Sequence, residues 1–455
     1  MSRPVIFFLH ALGMSGREWS TVSALLPPDV EGVPLDLPGY GSHAGWGARS
    51  LEQLVDWTVD QIKARPARSW AIAGHSMGGK IATLVAARSL RGEAGLSGCL
   101  GVILVAASPP SPEPMDEERR QRMIGWFKDG PPRREDAEAF LEANIAGGLD
   151  SSSRELALDD IQRTSPAAWI DWLRTGSRED RSADVGELRV PAVIVAGAED
   201  GDLGEAAQRR LNLPHFPKAG DVRVLAGCAH LIPLEQPQAL ADLVRQAMVR
   251  WTARRLPDAM VALLDADRVS VDERARLLAR HHGPAPASLL SAGERATLQA
   301  LVNQVLGADV DAVDMANRVE AALVDRQGDG WRFAELPDDL EAWPRALRTV
   351  EQWFPRFALR GADAQAEALR EIADGAPREP SPSSDGLTVA QMQRWSEDLR
   401  ADLARTWASL PRTWSEMGYD GFALGNADGT LRGYLVTGAN EVEPWQLNTD
   451  TRHDG

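Results

Sequence analysis

At 455 residues the chain is too long for one ordinary hydrophobic core, so two domains are expected. Its 44% hydrophobic and 25% charged content is that of a globular protein, and a net charge of -17 disfavours nucleic acid and anionic membrane surfaces as partners. Two cysteines, Cys99 and Cys228, exclude a disulfide framework, and no Cys/His group has zinc spacing, so both read as buried small residues and no metal or other cofactor is expected. No apolar run reads as a membrane span, and no cationic start with an apolar segment reads as a signal peptide, so the expected location is cytoplasmic.

In chain order, residues 4–12 read as a buried strand ending at Gly13. Ser15 to Leu26 has Trp19, Val22, Leu25 and Leu26 at helical spacing, and a turn-rich stretch follows from Leu35 to Ser42. Ser50 and Gln53 form a capping box for a helix carrying Leu51, Leu54, Val55, Thr58 and Ile62 on one face. Trp70 to Ala73 is a short strand, a helix runs on to about Leu90, and Val102 to Ala106 is another strand. Such alternation predicts an α/β fold, a doubly wound, mostly parallel sheet with helices on both faces.

The alternation breaks at about 109–185, a helical stretch rich in charge, and resumes with strands at Val190 to Ala196 and Val222 to Leu225. The interruption reads as a helical cap over the C-terminal edge of the sheet, where open α/β sheets place their sites. Pro237 opens a last helix, which closes a domain of residues 1–253. Residues 254–286 read as a helical linker, and 287–455 as a second, mainly helical domain with seven tryptophans. Ser291 and Glu294 cap its first helix, further helices are expected near 309–326, 344–359 and 388–409, and Ala376 to Gly386 reads as a loop. Asn426 to Gly429 suggests a hairpin or tight loop.

Gly74-His75-Ser76-Met77-Gly78-Gly79 lies between a strand and a helix. A serine on such a tight turn is held clear of the sheet, and side chains at Gly74 and Gly78 would collide with neighbouring strands. The helix start supplies amide hydrogens for a developing oxyanion. A serine hydroxyl needs a base to take its proton, and that base needs a carboxylate to orient it. The chain supplies these in the order Ser76, Asp200, His230, each just past a strand. Glu199 and Asp202 are local rivals, but Asp200 stands three residues past Gly197, the usual distance from such a strand, so the other two read as solvated turn acids, and the remaining histidines, His10 and His75 included, read as structural or solvated. The backbone amides of Leu12 and Met77 are the expected oxyanion donors, and Asp36 reads as a turn-forming acid. Trp126, Phe127, Trp169 and Trp172 either line a substrate pocket or pack the cap on itself.

These motifs carry a resemblance. His10-Ala11-Leu12-Gly13, Asp36-Leu37-Pro38-Gly39-Tyr40-Gly41, the serine motif, Gly197-Ala198-Glu199-Asp200 and Gly227-Cys228-Ala229-His230 with Leu234-Glu235-Gln236-Pro237 make residues 4–252 resemble capped esterases, lactonases and C–C hydrolases of the α/β-hydrolase superfamily. Ala11 departs from the glycine usual after that histidine. The resemblance implies hydrolysis of a small-molecule carboxylic ester or lactone through an acyl-enzyme.

The segment at about 287–448 is similar to the small subunit (subunit 3) of gluconate 2-dehydrogenase, through Leu290 to Arg295, Gly330 to Phe333, Trp414 to Gly421 and Glu443 to Trp445. That likeness implies a domain that binds a flavin-dependent sugar or polyol oxidoreductase through residues 287–455. Two other readings keep the same folds. One is a non-catalytic partner or assembly subunit, and the other is C–C bond hydrolysis or perhydrolysis on the same scaffold.

Overall fold

The computed structural model describes residues 2–47, 49–65, 69–327, 333–375 and 385–419. The chain up to His282 forms one compact unit, and Gly283–Tyr419 forms a second.

The first unit is built on six parallel strands, β1 (Val5–Leu9), β2 (Glu31–Leu35), β3 (Trp70–His75), β4 (Cys99–Val105), β5 (Ala192–Gly197) and β6 (Arg223–Leu225), in the order β2-β1-β3-β4-β5-β6. Every residue of β1, β3, β4 and β5 is buried, which is why these strands read as unbroken apolar runs. Alternate residues serve opposite faces. Val5, Phe7 and Leu9 join a core with α2 (Leu51–Lys63) and α3 (Met77–Leu90), whereas Ile6 and Phe8 join one with Trp19 and Val22. Ser50 and Gln53 do form the capping box of α2.

β2 is the strand that sequence patterning does not find. Pro34 has no N–H to give a ladder, and Gly32 weakens any strand signal. The structure uses the segment at the sheet's edge, where one side needs no partner, and sets Pro34 opposite Phe8. The stretch Ser15 to Leu26 is a 3-10 turn, Gly16–Trp19, continued by the short helix α1 (Ser20–Ala24).

Between β4 and β5 the chain leaves the sheet for the cap, α4 (Glu117–Trp126), α5 (Arg134–Glu142), α6 (Ser151–Arg163), α7 (Pro166–Asp171) and α8 (Ser182–Val185), with a π turn at Trp172–Gly176. Helix α9 (Glu205–Leu211) follows β5, and α10 (Ile232–Glu235) and α11 (Pro237–Ala253) follow β6. Leu240, Val244, Met248 and Trp251 of α11 complete the core that holds Ile6 and Phe8.

The segment expected as a helical linker contains α12 (Asp258–Leu264) and α13 (Val271–His282), both within the first unit. Within them the Arg274 side chain is buried. It donates to the carbonyls of Leu264 at 2.5 Å, Gly92 at 2.7 Å and Val269 at 2.9 Å. Asp265 accepts from the Gly95 amide and the Ser97 hydroxyl. A guanidinium has five N–H donors, so a turn with several unpaired carbonyls can hold one inside.

The second unit contains α14 (Ala292–Leu306), α15 (Ala312–Val324), α16 (Asp339–Trp353), α17 (Ala362–Asp374), α18 (Val389–Ala408) and α19 (Pro411–Met417). Its core gathers Leu298, Leu301, Met315, Val319, Leu347 and Leu399 around Trp343 and Trp395, whose rings meet edge to face at 5.7 Å. Ser291 and Glu294 form the expected capping box, and the wholly buried Glu320 holds the Leu290 amide and the Arg295 guanidinium. Helix α17 escaped the sequence because its buried face carries two large apolar residues, Leu369 and Ile372, beside Gln365 and Ala368. The expected hairpin at 426–429, and the expected loop except its last two residues, Asp385 and Gly386, lie outside the described residues.

Replacing Arg274 with alanine leaves several buried carbonyls without donors and is expected to destabilise the protein by at least about 2 kcal/mol. The exposed neighbour Arg276→Ala should stay within about 0.5 kcal/mol of wild type. Urea unfolding of the two variants side by side checks this, and equal losses would mean that α13 does not depend on the buried guanidinium.

Candidate active site

β3 ends at His75, and the chain reverses through Ser76 into α3. Ser76 has φ 49° and ψ -117°, a strained conformation for a residue with a side chain. Its carbonyl accepts from the amides of Gly79 at 2.8 Å and Ser108 at 2.9 Å, and its own amide donates to Val105 at 3.0 Å. A Cβ at Gly78 would lie 2.5 Å from the Leu9 carbonyl, as expected of a neighbouring strand. At Gly74 the obstacle is the helix itself, with the Gly78 carbonyl 2.2 Å away.

The base and acid arrive on two loops that touch. A Cβ on Gly197 would lie 2.0 Å from the Ala229 carbonyl, so only glycine allows the end of β5 to approach the loop after β6 this closely. Across that contact His230 Nδ1 lies 2.7 Å from Asp200 Oδ2. With Nδ1–H directed at the carboxylate, Nε2 is the basic nitrogen. The other two acids have separate tasks. Glu199 accepts from the amides of Gly227 and Cys228, and Asp202 pairs with Arg119 of the cap.

Burial opposes charge on both partners, but the pair prevails. The Asp200 carboxylate holds the His230 pKa above its ordinary value, with Glu113 adding. Burial likewise pushes Asp200 up, and the charge and hydrogen bond of His230 together with the Leu203 amide bring it below the usual carboxylate range.

Ser76, Asp200 and His230 face one open cavity of about 840 Å³, whose wall also includes Ala11 and Leu12. Among the described residues, no backbone or side-chain acceptor takes the amide of Leu12 or of Met77. Of the four cap aromatics, Trp172 lines the cavity. Phe127 and Trp169 stack at 4.3 Å inside the cap, and Trp126 meets Phe140 edge to face at 6.3 Å. Phe140, not anticipated, is the second aromatic of the wall. Asp36 lies apart from the cavity and accepts the amides of Gly16 and Ser42, the work of a turn-forming acid. Both cysteines are buried and unpaired, and no group of His, Cys, Asp and Glu among the described residues could hold a metal ion.

Several supporting residues carried no sequence signal of their own. The carbonyl of Asn144, in the cap, accepts the amides of His230 at 3.0 Å and Leu231 at 3.1 Å. Glu235 bridges the same two segments, accepting from Ala229 at 2.9 Å and from Ala146 of the cap at 2.7 Å. Beneath them His75 reaches Glu18 at 3.0 Å and the His230 carbonyl at 2.8 Å, and Glu18 also accepts the Ala11 amide. Lys80 is wholly buried in α3, with its ammonium on the carbonyls of Ser111 at 3.3 Å and Glu179 at 2.6 Å. Burial pushes its pKa down to about 8. Of these residues, His75 and Glu235 fall within sequence motifs.

The fold and this site define a capped hydrolase architecture. The chain matches the alpha/beta hydrolase family over residues 6–243 and belongs to it. It is 24% identical over 254 residues to the 2-succinyl-6-hydroxy-2,4-cyclohexadiene-1-carboxylate synthase of Serratia proteamaculans (strain 568), covering 54% of this chain and 94% of that protein. It is 27% identical over 255 residues to the pimeloyl-[acyl-carrier protein] methyl ester esterase of Sodalis glossinidius (strain morsitans), covering 52% and 92%. Among solved structures it is similar to a thermophilic esterase from Thermogutta terrifontis, with a TM-score of 0.44, 19% identity, and coverage of 55% of this chain and 91% of that one. Among the described residues no helix is long and apolar enough to cross a membrane.

Glu235 acts on His230 through the loop, as a positioning residue. Glu235→Gln keeps the shape but sets an amide NH2 against one of the two backbone N–H groups, removing that bond, and kcat toward an activated ester is expected to fall by up to about 10²-fold with KM nearly unchanged. Steady-state kinetics on the folded variant checks the split, and a rise in KM alone would assign Glu235 to substrate binding.

Proposed function

We propose that this protein is a serine hydrolase that cleaves carboxylic esters or lactones through an acyl-enzyme. The observation that carries the reading is the 2.7 Å contact of His230 with Asp200, opening on the same cavity as a serine held on a strained turn. Ser76 Oγ attacks the carbonyl carbon as His230 Nε2 takes its proton, and Asp200 orients and stabilises the imidazolium. The amides of Leu12 and Met77 hold the oxyanion. Collapse expels the alcohol, which receives the proton from His230, and water then repeats the sequence on the acyl-enzyme. The similarity to pimeloyl-[acyl-carrier protein] methyl ester esterases supports ester cleavage.

A narrower proposal concerns the second unit and rests on its resemblance to the gluconate 2-dehydrogenase small subunit alone. It docks a flavin-dependent sugar or polyol oxidoreductase, and the tethered hydrolase opens the lactone that partner releases, at high effective concentration. Hydrolysis of p-nitrophenyl esters without any turnover of aldonolactones would remove this narrower version. A relative named as a synthase makes C–C chemistry a reading to test in the same panel, with β-diketones beside the esters.

A fluorophosphonate probe is expected to label the wild type and not Ser76→Ala, and folded wild type that resists the probe would favour a non-catalytic partner subunit. The base works neutral, so kcat/KM rises with pH as His230 loses its proton, with a midpoint above the ordinary histidine value of 6.5. Asp200→Asn removes the charge that raises this pKa. It is expected to move the limb to lower pH and to cut kcat by about 10⁴-fold, read from a pH–rate profile.

A further inference from the structure

We infer that the catalytic cavity takes uncharged acyl groups, and that Glu113 is the residue by which it turns away substrates bearing a second carboxylate. The inference rests on the ester-hydrolase reading above and names its substrate class.

The charges of the wall carry the argument. Glu113, Glu199, Asp200 and Asp202 line the cavity, and Arg119 is the lysine- or arginine-type cation among its lining residues. Arg119 is committed to Asp202, with Asn144 Oδ1 as a further acceptor at 3.5 Å. Asp200 is matched by His230, and Glu199 is turned into the loop that it ties. Glu113 remains.

Its position is fixed close to the nucleophile. Ser108 donates its amide to the Ser76 carbonyl at 2.9 Å and its hydroxyl to the Glu113 carboxylate. The Glu113 amide in turn donates to Ser177 of the cap at 2.8 Å. Burial raises this carboxyl above its ordinary value despite the Ser108 bond and the charges of Lys80, Arg120 and His230, so its negative charge is fully present on the alkaline side of that titration, where the two esters are compared. Much of the remaining wall is apolar, with Leu12, Met115, Met123, Phe140 and Trp172. An anionic acyl chain entering here gives up its hydration, finds no uncommitted cation in the wall, and meets like charge where water screens it poorly. A neutral chain loses nothing and gains apolar contact.

Methyl hexanoate and monomethyl adipate have the same chain length and differ in the carboxylate at the far end. The wild type is expected to favour the neutral ester in kcat/KM by about tenfold or more, a factor worth about 1.4 kcal/mol. Glu113→Gln should narrow that ratio several-fold, and Glu113→Asp should keep it. Because the ratio is taken within one enzyme form, any effect of the substitution on His230 cancels. Equal kcat/KM for the two esters in the wild type, a preference for the monocarboxylate, or an unchanged ratio in folded Glu113→Gln overturns the inference while leaving the hydrolase reading intact. Absence of Ser76-dependent turnover of both esters removes the hydrolase reading and this inference together.

Discussion

The arrangement depends on how closely backbone approaches backbone at the C-terminal edge of the sheet. Gly78 sits against the carbonyl of Leu9, Gly79 against Ala107, and Gly197 against the carbonyl of Ala229. Each contact leaves no room for a Cβ. The first two force α3 down onto the strands and leave Ser76 in its strained turn, and the third brings the acid loop to the base loop. Such strain persists only where surrounding structure over-determines it. Here the strands on both sides of β3 are wholly buried, and their packing supplies that constraint.

The cap is bound into the same machinery. Asn144 and Glu235 join it to the His230 loop, Arg119 joins it to the Asp202 end of the acid loop, and Lys80 joins both of its stems to α3. The loops that carry Asp200 and His230 are therefore braced from the cap as well as from the sheet. Hydrogen bonds to backbone amides are well suited to this, because they fix a loop's path without filling the space a substrate needs.

The central strands, the capping boxes of α2 and α14 and the order Ser76, Asp200, His230 were legible because each follows from local composition, namely unbroken apolar runs, a serine three residues before Gln or Glu, and glycines around a serine. What escaped shares a different cause. Pro34 makes sense only once the strand is known to be at an edge, and Arg274 only once the carbonyls of Gly92, Leu264 and Val269 are seen to converge. Trp169 and Trp172 lie three residues apart in sequence, yet one stacks on Phe127 and the other lines the cavity. Partners distant in sequence decide all of these.

The buried ammonium of Lys80 has a further consequence for the history of such a chain. It holds the carbonyls of Ser111, near the start of the insertion, and of Glu179, just before its last helix α8. With both ends fixed on one group, the span between them is a closed loop whose ends are already together, and extending such a loop adds only slowly to its closure entropy. The cap can thus lengthen, shorten or be exchanged between relatives as a cassette, while the sheet beneath keeps one geometry. New specificity is then accessible by editing a loop whose ends never have to be found again.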